Sequence, residues 1–149
     1  MTAPRNRLCS PWIGYVTCAW TALFAAPHIW WALGSPFAFP GGDASYRLFM
    51  SATWRIVYDW VVVLLSFTGF GVALALVHPW GRTLPQRPFH VAAWIASAIL
   101  TLREGAGLAV DGLVKPFWTL AFLLGGLLFG AVAWRAHRCR QGRTADPAL

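Results

Sequence analysis

Four long apolar runs constrain the fold of this chain more than any other feature of its sequence. They cover about residues 12–33, 56–77, 89–110 and 116–134, and shorter segments separate them. An α-helix needs roughly 20 residues to cross about 30 Å of hydrocarbon, and each run reaches that length. Helices are expected because hydrocarbon offers no partner to backbone N–H and C=O groups. The sequence therefore predicts an all-α fold, a four-helix transmembrane bundle with up-down-up-down topology.

The composition excludes several other classes of protein. Only 11% of the residues are charged, against about 25% in soluble domains. The net charge of +7 does not indicate a nucleic-acid partner, because the basic residues form short groups between apolar runs, as membrane topology requires. The three cysteines include no C-x-x-C pair, so neither a disulfide framework nor a cysteine metal site is predicted. The phosphate-loop, dinucleotide and zinc-hydrolase motifs are also absent from the sequence, and we expect no cofactor.

Positively charged residues predict the orientation of the bundle, because they accumulate on the cytoplasmic side of a membrane. With the N-terminus inside, that side carries eight basic residues, and the outer side carries four that have acidic residues nearby. The eight are Arg5, Arg7, Arg82, Arg87, Arg135, Arg138, Arg140 and Arg143, and the four are Arg47, Arg55, Arg103 and Lys115. We therefore expect both termini in the cytoplasm, with 1–11 as an N-terminal segment and 135–149 as a basic tail.

Two further features bear on where the chain resides. Eleven arginines against one lysine, in an alanine-rich sequence, indicate a GC-rich bacterial genome and hence the bacterial inner membrane. The first run also resembles a signal peptide, but a cut after Ala26 would leave Pro27 first. We expect this run to remain as an uncleaved anchor.

Small and weakly polar residues recur at helical spacing and predict the faces through which the helices pack. These faces are Gly14, Cys18, Thr21, Ala25 and His28 in the first run; Asp59, Val62, Ser66, Gly69 and Ala73 in the second; Ala93, Ser97, Thr101 and Glu104 in the third; and Gly126 with Gly130 in the fourth. Three of the four faces end in an ionisable residue on the outer side. Trp30 and Trp31 are expected to turn away from His28 and anchor the helix among headgroups.

The third run poses a length problem at Arg103 and Glu104. Its uncharged part, 89–102, has about 14 residues and is too short to cross a bilayer. A spanning helix must therefore continue to about Val110, which places both charges below the outer surface. Each charge would cost about 2.5–3.5 kcal/mol there, so both should face the bundle and be paired. Alternatively, 105–115 forms a re-entrant piece and leaves the pair near the surface.

These positions predict a polar cluster near the outer side of the bundle, formed by His28, Arg55, Asp59, Arg103 and Glu104. Such a cluster suits proton or cation handling, anion binding or recognition of a lipid headgroup. The alternatives are structural. Arg55 and Asp59 are spaced as an interfacial i, i+4 ion pair, Glu104 would neutralise Arg103, and His28 would be an interface residue. His28, Asp59 and Glu104 are acceptable metal ligands, but they lack local spacing, so no metal is predicted.

The function that we favour from the sequence is a small, non-enzymatic binding or transport module built on this polar cluster. One alternative is a subunit or scaffold of a larger membrane complex that associates through the glycine faces. Another is a membrane-embedded enzyme acting on a lipid or quinone, with His28 and Glu104 as acid and base. The lipid bilayer is the expected partner in each case, with a second copy of the chain or a larger complex as further candidates.

The stretch Trp30-Trp31-Ala32-Leu33-Gly34 resembles the motif of an uncharacterised bacterial family of small four-helix membrane proteins. Those proteins carry a Tyr/Trp-Trp-Ala-Leu-Gly-Gly box after their first span, and Ser35 stands here in place of the second glycine. The resemblance implies a four-helix membrane architecture. It supplies no catalytic residues, because the family has no assigned activity.

Overall fold

The computed structural model describes residues 11–37, 39–111 and 116–144. Within these ranges the chain is all-helical and contains no strand. The five α-helices are α1 (Trp12–Ala32), α2 (Gly42–Met50), α3 (Thr53–Val77), α4 (Gln86–Asp111) and α5 (Pro116–Thr144), with a 3-10 turn at Pro79–Thr83. The predictions that concern Arg5, Arg7 and Lys115 fall outside the described residues.

The length problem of the third run is resolved by one continuous helix. α4 passes through Arg103 and Glu104 without a break and reaches Asp111. The alternative, in which a re-entrant piece starts at 105, is therefore wrong for the described part of that segment. The alanine at 106 and the leucine at 108 favour helix and offset part of the cost of the glycines at 105 and 107.

Two helical segments lie where the sequence predicts irregular chain. α2 begins at Gly42, and both Gly42 and the preceding Gly41 have positive φ angles, +74° and +89°. Glycine adopts this left-handed backbone without the steric cost that a Cβ would add. α5 continues ten residues beyond Trp134 into the basic tail. There, the Arg138 guanidinium lies 4.8 Å from the Trp134 ring one turn earlier, a contact that favours helix.

The four long helices pack with each helix antiparallel to its main neighbours. α1 packs mainly on α3, and α4 packs mainly on α5. Gly14 of α1 meets Val77 at one end of the first pair, and His28 meets Asp59 at the other. Contacts of α1 with α5 and of α3 with α4 join the two pairs. The shared core consists of Cys18, Val72, Ala73, Ala93, Phe129 and Ala133.

The surface of the long helices is apolar, as is the core that they enclose. The predicted packing face of α1 is confirmed, because Gly14, Cys18, Thr21, Ala25 and His28 are all buried. Large apolar side chains point outward instead on α1, α3, α4 and α5, among them Leu23, Leu64, Leu65, Ile99, Leu102, Leu120 and Leu127. By length and composition, two of the described helical segments could cross a membrane, Thr53–Val77 and Phe117–Cys139.

Candidate functional site

The centre of the candidate site is a buried pair formed by His28 of α1 and Asp59 of α3. Their Nδ1 and Oδ1 atoms lie 2.8 Å apart, and the two residues are only 5% and 1% exposed. When Asp59 is ionised, the Nδ1–H group donates to its carboxylate, since a carboxylate can only accept. The pair joins the C-terminal end of α1 to the N-terminal end of α3.

One polar atom on each side chain of this pair is buried without a hydrogen-bond partner. These atoms are Nε2 of His28 and Oδ2 of Asp59. A buried polar group that lacks its hydrogen bond costs about 1–3 kcal/mol, so most buried groups in folded proteins are paired. The His28–Asp59 pair therefore has capacity for a further hydrogen bond that no described protein group supplies.

Three aromatic rings surround the imidazole. The ring centroids of Trp31, Phe24 and Trp118 lie 5.0, 5.2 and 6.2 Å from that of His28. The expectation that Trp31 anchors the helix among headgroups is wrong, because Trp31 is 4% exposed whereas Trp30 is 54% exposed. The reason is helical spacing: Trp31 follows His28 by three residues and so shares its face.

The segment between α1 and α3 packs against Trp31, next to the site. We call residues 33–37 and 39–50 the cap. Tyr46 of the cap donates a 2.9 Å hydrogen bond from its hydroxyl to the Trp31 carbonyl, and the Trp31 indole N–H donates at 3.0 Å to the Phe37 carbonyl. Phe39 packs its ring 5.1 Å from Trp31 and 5.4 Å from Tyr46. These contacts hold the cap against the end of α1 that carries His28 and Trp31.

The phenol of Tyr46 is kept in its donating form by its surroundings. Burial raises the pKa of Tyr46 above its ordinary value, and the negative charge of Asp59 raises this pKa further. The hydroxyl is therefore protonated at neutral pH and holds the cap on the Trp31 carbonyl.

Arg103 and Glu104 form the second charged pair of the predicted cluster. Arg103 Nη1 lies 3.4 Å from Glu104 Oε1, and the two side chains are 49% and 12% exposed. The Arg103 guanidinium also lies 4.0 Å from the ring centroid of Phe122, which packs on Phe24 beside His28. Arg103 is close enough to interact electrostatically with His28. The charges are thus paired as expected, although Arg103 is half exposed.

Arg55 does not pair with Asp59 in the described structure, and the predicted i, i+4 ion pair is wrong. Asp59 turns toward α1 and His28. The Arg55 guanidinium instead lies over two aromatic rings, 4.5 Å from Phe49 and 5.1 Å from Trp54. Its Nε is buried without a hydrogen-bond partner. Arg55 therefore connects the start of α3 to the cap.

The three candidate metal ligands considered from the sequence do not come together. Among the described residues, no group of three His, Cys, Asp or Glu side chains is placed to hold a metal ion. Glu104 has Arg103 as its partner, whereas His28 has Asp59. The predicted cluster is thus two separate pairs linked by aromatic rings, with Arg55 at its edge.

Sequence reasoning missed Trp31, Tyr46, Trp118 and Phe24 as residues of the site. The signal for Trp31 was its three-residue spacing from His28. Tyr46 required recognition of α2, and the Gly-Gly-Asp turn before Ala44 is a start signal for that helix. Nothing in the sequence indicates that Trp118 packs against His28, because that contact depends on how α5 lies against α1.

A comparison of this chain with protein-family models, curated proteins and solved structures finds no match. The chemistry of the site therefore rests on its geometry. The resemblance of Trp30–Gly34 to the uncharacterised four-helix family stays a prediction.

Proposed function

We propose that this chain is an integral protein of the bacterial inner membrane, that its four long helices all cross the bilayer, and that both termini are cytoplasmic. The apolar surface supports this proposal, because exposed leucines occur on every long helix, and large exposed apolar surfaces are typical of regions that contact a membrane or another protein. α1 contains no charged residue along its 21 residues. Its four tryptophans lower its mean hydropathy, yet tryptophan is favoured at membrane interfaces.

We further propose that the protein is a binding module and that the His28–Asp59 pair is its ligand site. The single observation that carries this proposal is the buried pair with unpartnered Nε2 and Oδ2 atoms. His28 lies four residues before the end of α1, and Asp59 lies six residues after the start of α3. At 1.5 Å per residue these positions are about 6 and 9 Å below the helix ends. Because the cap covers the aqueous side, the ligand comes from the membrane.

Neither alternative from the sequence gains a supporting observation. A scaffold that associates through Gly126 and Gly130 would need that face free, but Ser97 of α4 lies against both glycines. An enzyme with His28 and Glu104 as acid and base would need these side chains to share a substrate. Each has a different partner, Asp59 and Arg103 respectively.

The test is the thermal stability of the purified full-length protein with and without an organic-solvent extract of bacterial inner-membrane lipids. A ligand that binds only the folded state stabilises it by RT ln(1 + [L]/Kd), and the ten tryptophans provide the fluorescence signal. The extract should raise Tm of the wild type by several degrees, and Asp59→Asn should abolish the increase.

The matched control is Ser66→Ala. Ser66 is also buried on α3, but its hydroxyl donates within its own helix to the Val62 carbonyl. This variant should keep the full Tm increase. An equal increase in wild type and Asp59→Asn, or none in the wild type, would contradict the proposed binding function.

A further inference from the structure

We propose that the ligand of this site is a lipid-soluble hydroquinone, bound through one of its hydroxyl groups. This inference rests on the proposed binding function and specifies the chemical class of the ligand. It follows from the number of protons that the His28–Asp59 pair can hold, from the charges around the pair and from the rings that line it.

The proton count determines which ligand groups fit. The 2.8 Å separation between Nδ1 of His28 and Oδ1 of Asp59 requires one proton between these two atoms. With no second proton, both unpartnered atoms, Nε2 and Oδ2, are acceptors, and only a ligand that donates can satisfy them. With a second proton on Nε2, the site offers one donor and one acceptor. A hydroxyl group fits both states because it donates and accepts, whereas a carbonyl fits only the second.

The charges around the pair favour an uncharged ligand. The pair carries a net charge of −1 or 0 in its two protonation states. Arg55 lies one helical turn from Asp59 without an ion pair to it, and Arg103 is neutralised by Glu104. With one shared proton, the pair's charge of −1 offsets the +1 of Arg55, and the net charge of these groups is zero, so in this state a charged ligand would lose its hydration without a net opposite charge to compensate. The ligand should therefore be neutral, as expected for a molecule that arrives from the lipid phase.

The side chains beside His28 favour a flat aromatic ligand over an alkyl alcohol. Trp31, Phe24 and Trp118 all approach the imidazole with tilted or edge-on rings. Trp31 and Trp118 also contact each other edge-on at 5.8 Å. Rings arranged in this way gain energy from a further aromatic ring beyond the gain from buried area alone. A phenolic hydroxyl is also a stronger donor than an alkyl hydroxyl. Among lipid-soluble molecules, a hydroquinone combines both properties.

The experiment compares four probes on the full-length protein in lipid nanodiscs, without oxygen, by isothermal titration calorimetry. The probes are decyl-1,4-benzohydroquinone, its dimethyl ether, decyl-1,4-benzoquinone and decylcyclohexane-1,4-diol. The ether and the quinone lack the donor hydroxyls, and the diol lacks the aromatic ring. The hydroquinone should bind at least about tenfold more tightly than each of the other three. Equal affinity for the ether, the quinone or the diol would overturn the inference.

Variants locate the binding at the pair. Asp59→Asn replaces one acceptor oxygen of the carboxylate by an NH2 group, which can only donate. The variant should therefore weaken hydroquinone binding about tenfold. Ser66→Ala should leave the affinity unchanged. Equal weakening by both variants would overturn the inference. If Asp59→Asn does not fold, the comparison of the four probes on the wild type still tests whether the ligand is a hydroquinone.

The lipid extract separates this inference from the proposed function. If the wild-type Tm rises with the extract but not with the hydroquinone, the ligand is not a hydroquinone, and the proposed binding function is still supported. No rise with either would remove both.

Discussion

At the scale of single residues, the proposed site depends on side chains that are buried and only partly satisfied. His28 and Asp59 satisfy each other at 2.8 Å and leave one polar atom each without a partner. Tyr46 and Trp31 differ from them, because both of their donors are used in fixing the cap. We therefore propose that His28 and Asp59 bind the ligand and that Tyr46 and Trp31 hold the cap in place.

The Tyr46 hydroxyl can be removed with little change in volume. Tyr46→Phe should destabilise the closed cap by about 1 kcal/mol, because the bond to the Trp31 carbonyl is lost. Hydrogen exchange of α2 backbone amides should then be about fivefold faster than in the wild type. Thr68→Val is the control, since its hydroxyl bonds only within α3. Unchanged exchange in Tyr46→Phe would show that this bond does not hold the cap.

The same tyrosine predicts a dependence on alkaline pH. The pKa of Tyr46 is raised in the folded state, so its contribution to stability is fully present below the ordinary tyrosine pKa of about 10. It is lost as pH rises from that value through the folded-state pKa. Between pH 9 and 11 the wild type should therefore lose more unfolding free energy than Tyr46→Phe. Parallel pH profiles would contradict the assignment.

At the scale of helices, the periodicity of small residues predicts which face of a helix is buried. It does not predict which residues of two helices meet. The spacing of Gly14, Cys18, Thr21, Ala25 and His28 predicted the buried face of α1, because packing in lipid selects small side chains. The same rule did not identify Trp31, which is large and was assigned to the interface by its composition alone. The pairing of His28 with Asp59 depends on the register between α1 and α3, which sequence periodicity does not specify.

The helix α2 was missed for a related reason. Its nine residues begin at Gly42 and follow two prolines and two glycines, a composition typical of a loop. The helix is stabilised by contacts that the sequence does not reveal, such as those of Tyr46 with Trp31 and with Phe39. Tertiary packing therefore determines the structure of this segment more than local propensity does.

Close packing of α4 on α5 is tested at Gly126. A Cβ there would lie 3.2 Å from the Ser97 carbonyl oxygen and would also meet the Thr101 hydroxyl. Gly126→Ala should therefore destabilise the protein by about 1–3 kcal/mol. A Cβ at Gly71 would meet no atom within 4 Å, and Gly71→Ala should stabilise α3 by up to about 1 kcal/mol. Unfolding in detergent by urea measures both, and equal effects of the two variants would contradict this helix contact.

At the scale of the whole molecule, the proposed membrane topology predicts the depth at which the His28–Asp59 pair lies in the bilayer. In the proposed topology, lipid covers the exposed leucines of the long helices, and the excess of arginine predicts the orientation. In this arrangement the cap faces the outside and Pro79–Thr83 faces the cytoplasm. The His28–Asp59 pair then lies in the outer half of the membrane, where few other polar groups compete for a ligand.

Reporter fusions test this topology. Alkaline phosphatase, which is active only outside the cytoplasm, should be active when fused after residue 41 or 113 and inactive after residue 84. Green fluorescent protein should fluoresce when fused to the C-terminus, because that end is proposed to be cytoplasmic. Phosphatase activity after residue 84, or a dark C-terminal fusion, would contradict the four-span arrangement.

The most direct measurement of the central claim is the nitrogen NMR spectrum of His28 in the full chain, embedded in nanodiscs. We predict an Nδ1–H proton that is shifted strongly downfield by its bond to Asp59 and protected from exchange with water. Asp59→Asn should move that signal upfield, and Ser66→Ala should leave it in place. An imidazole proton that exchanges rapidly with water, and does not respond to Asp59→Asn, would contradict the buried pair on which the proposed site depends.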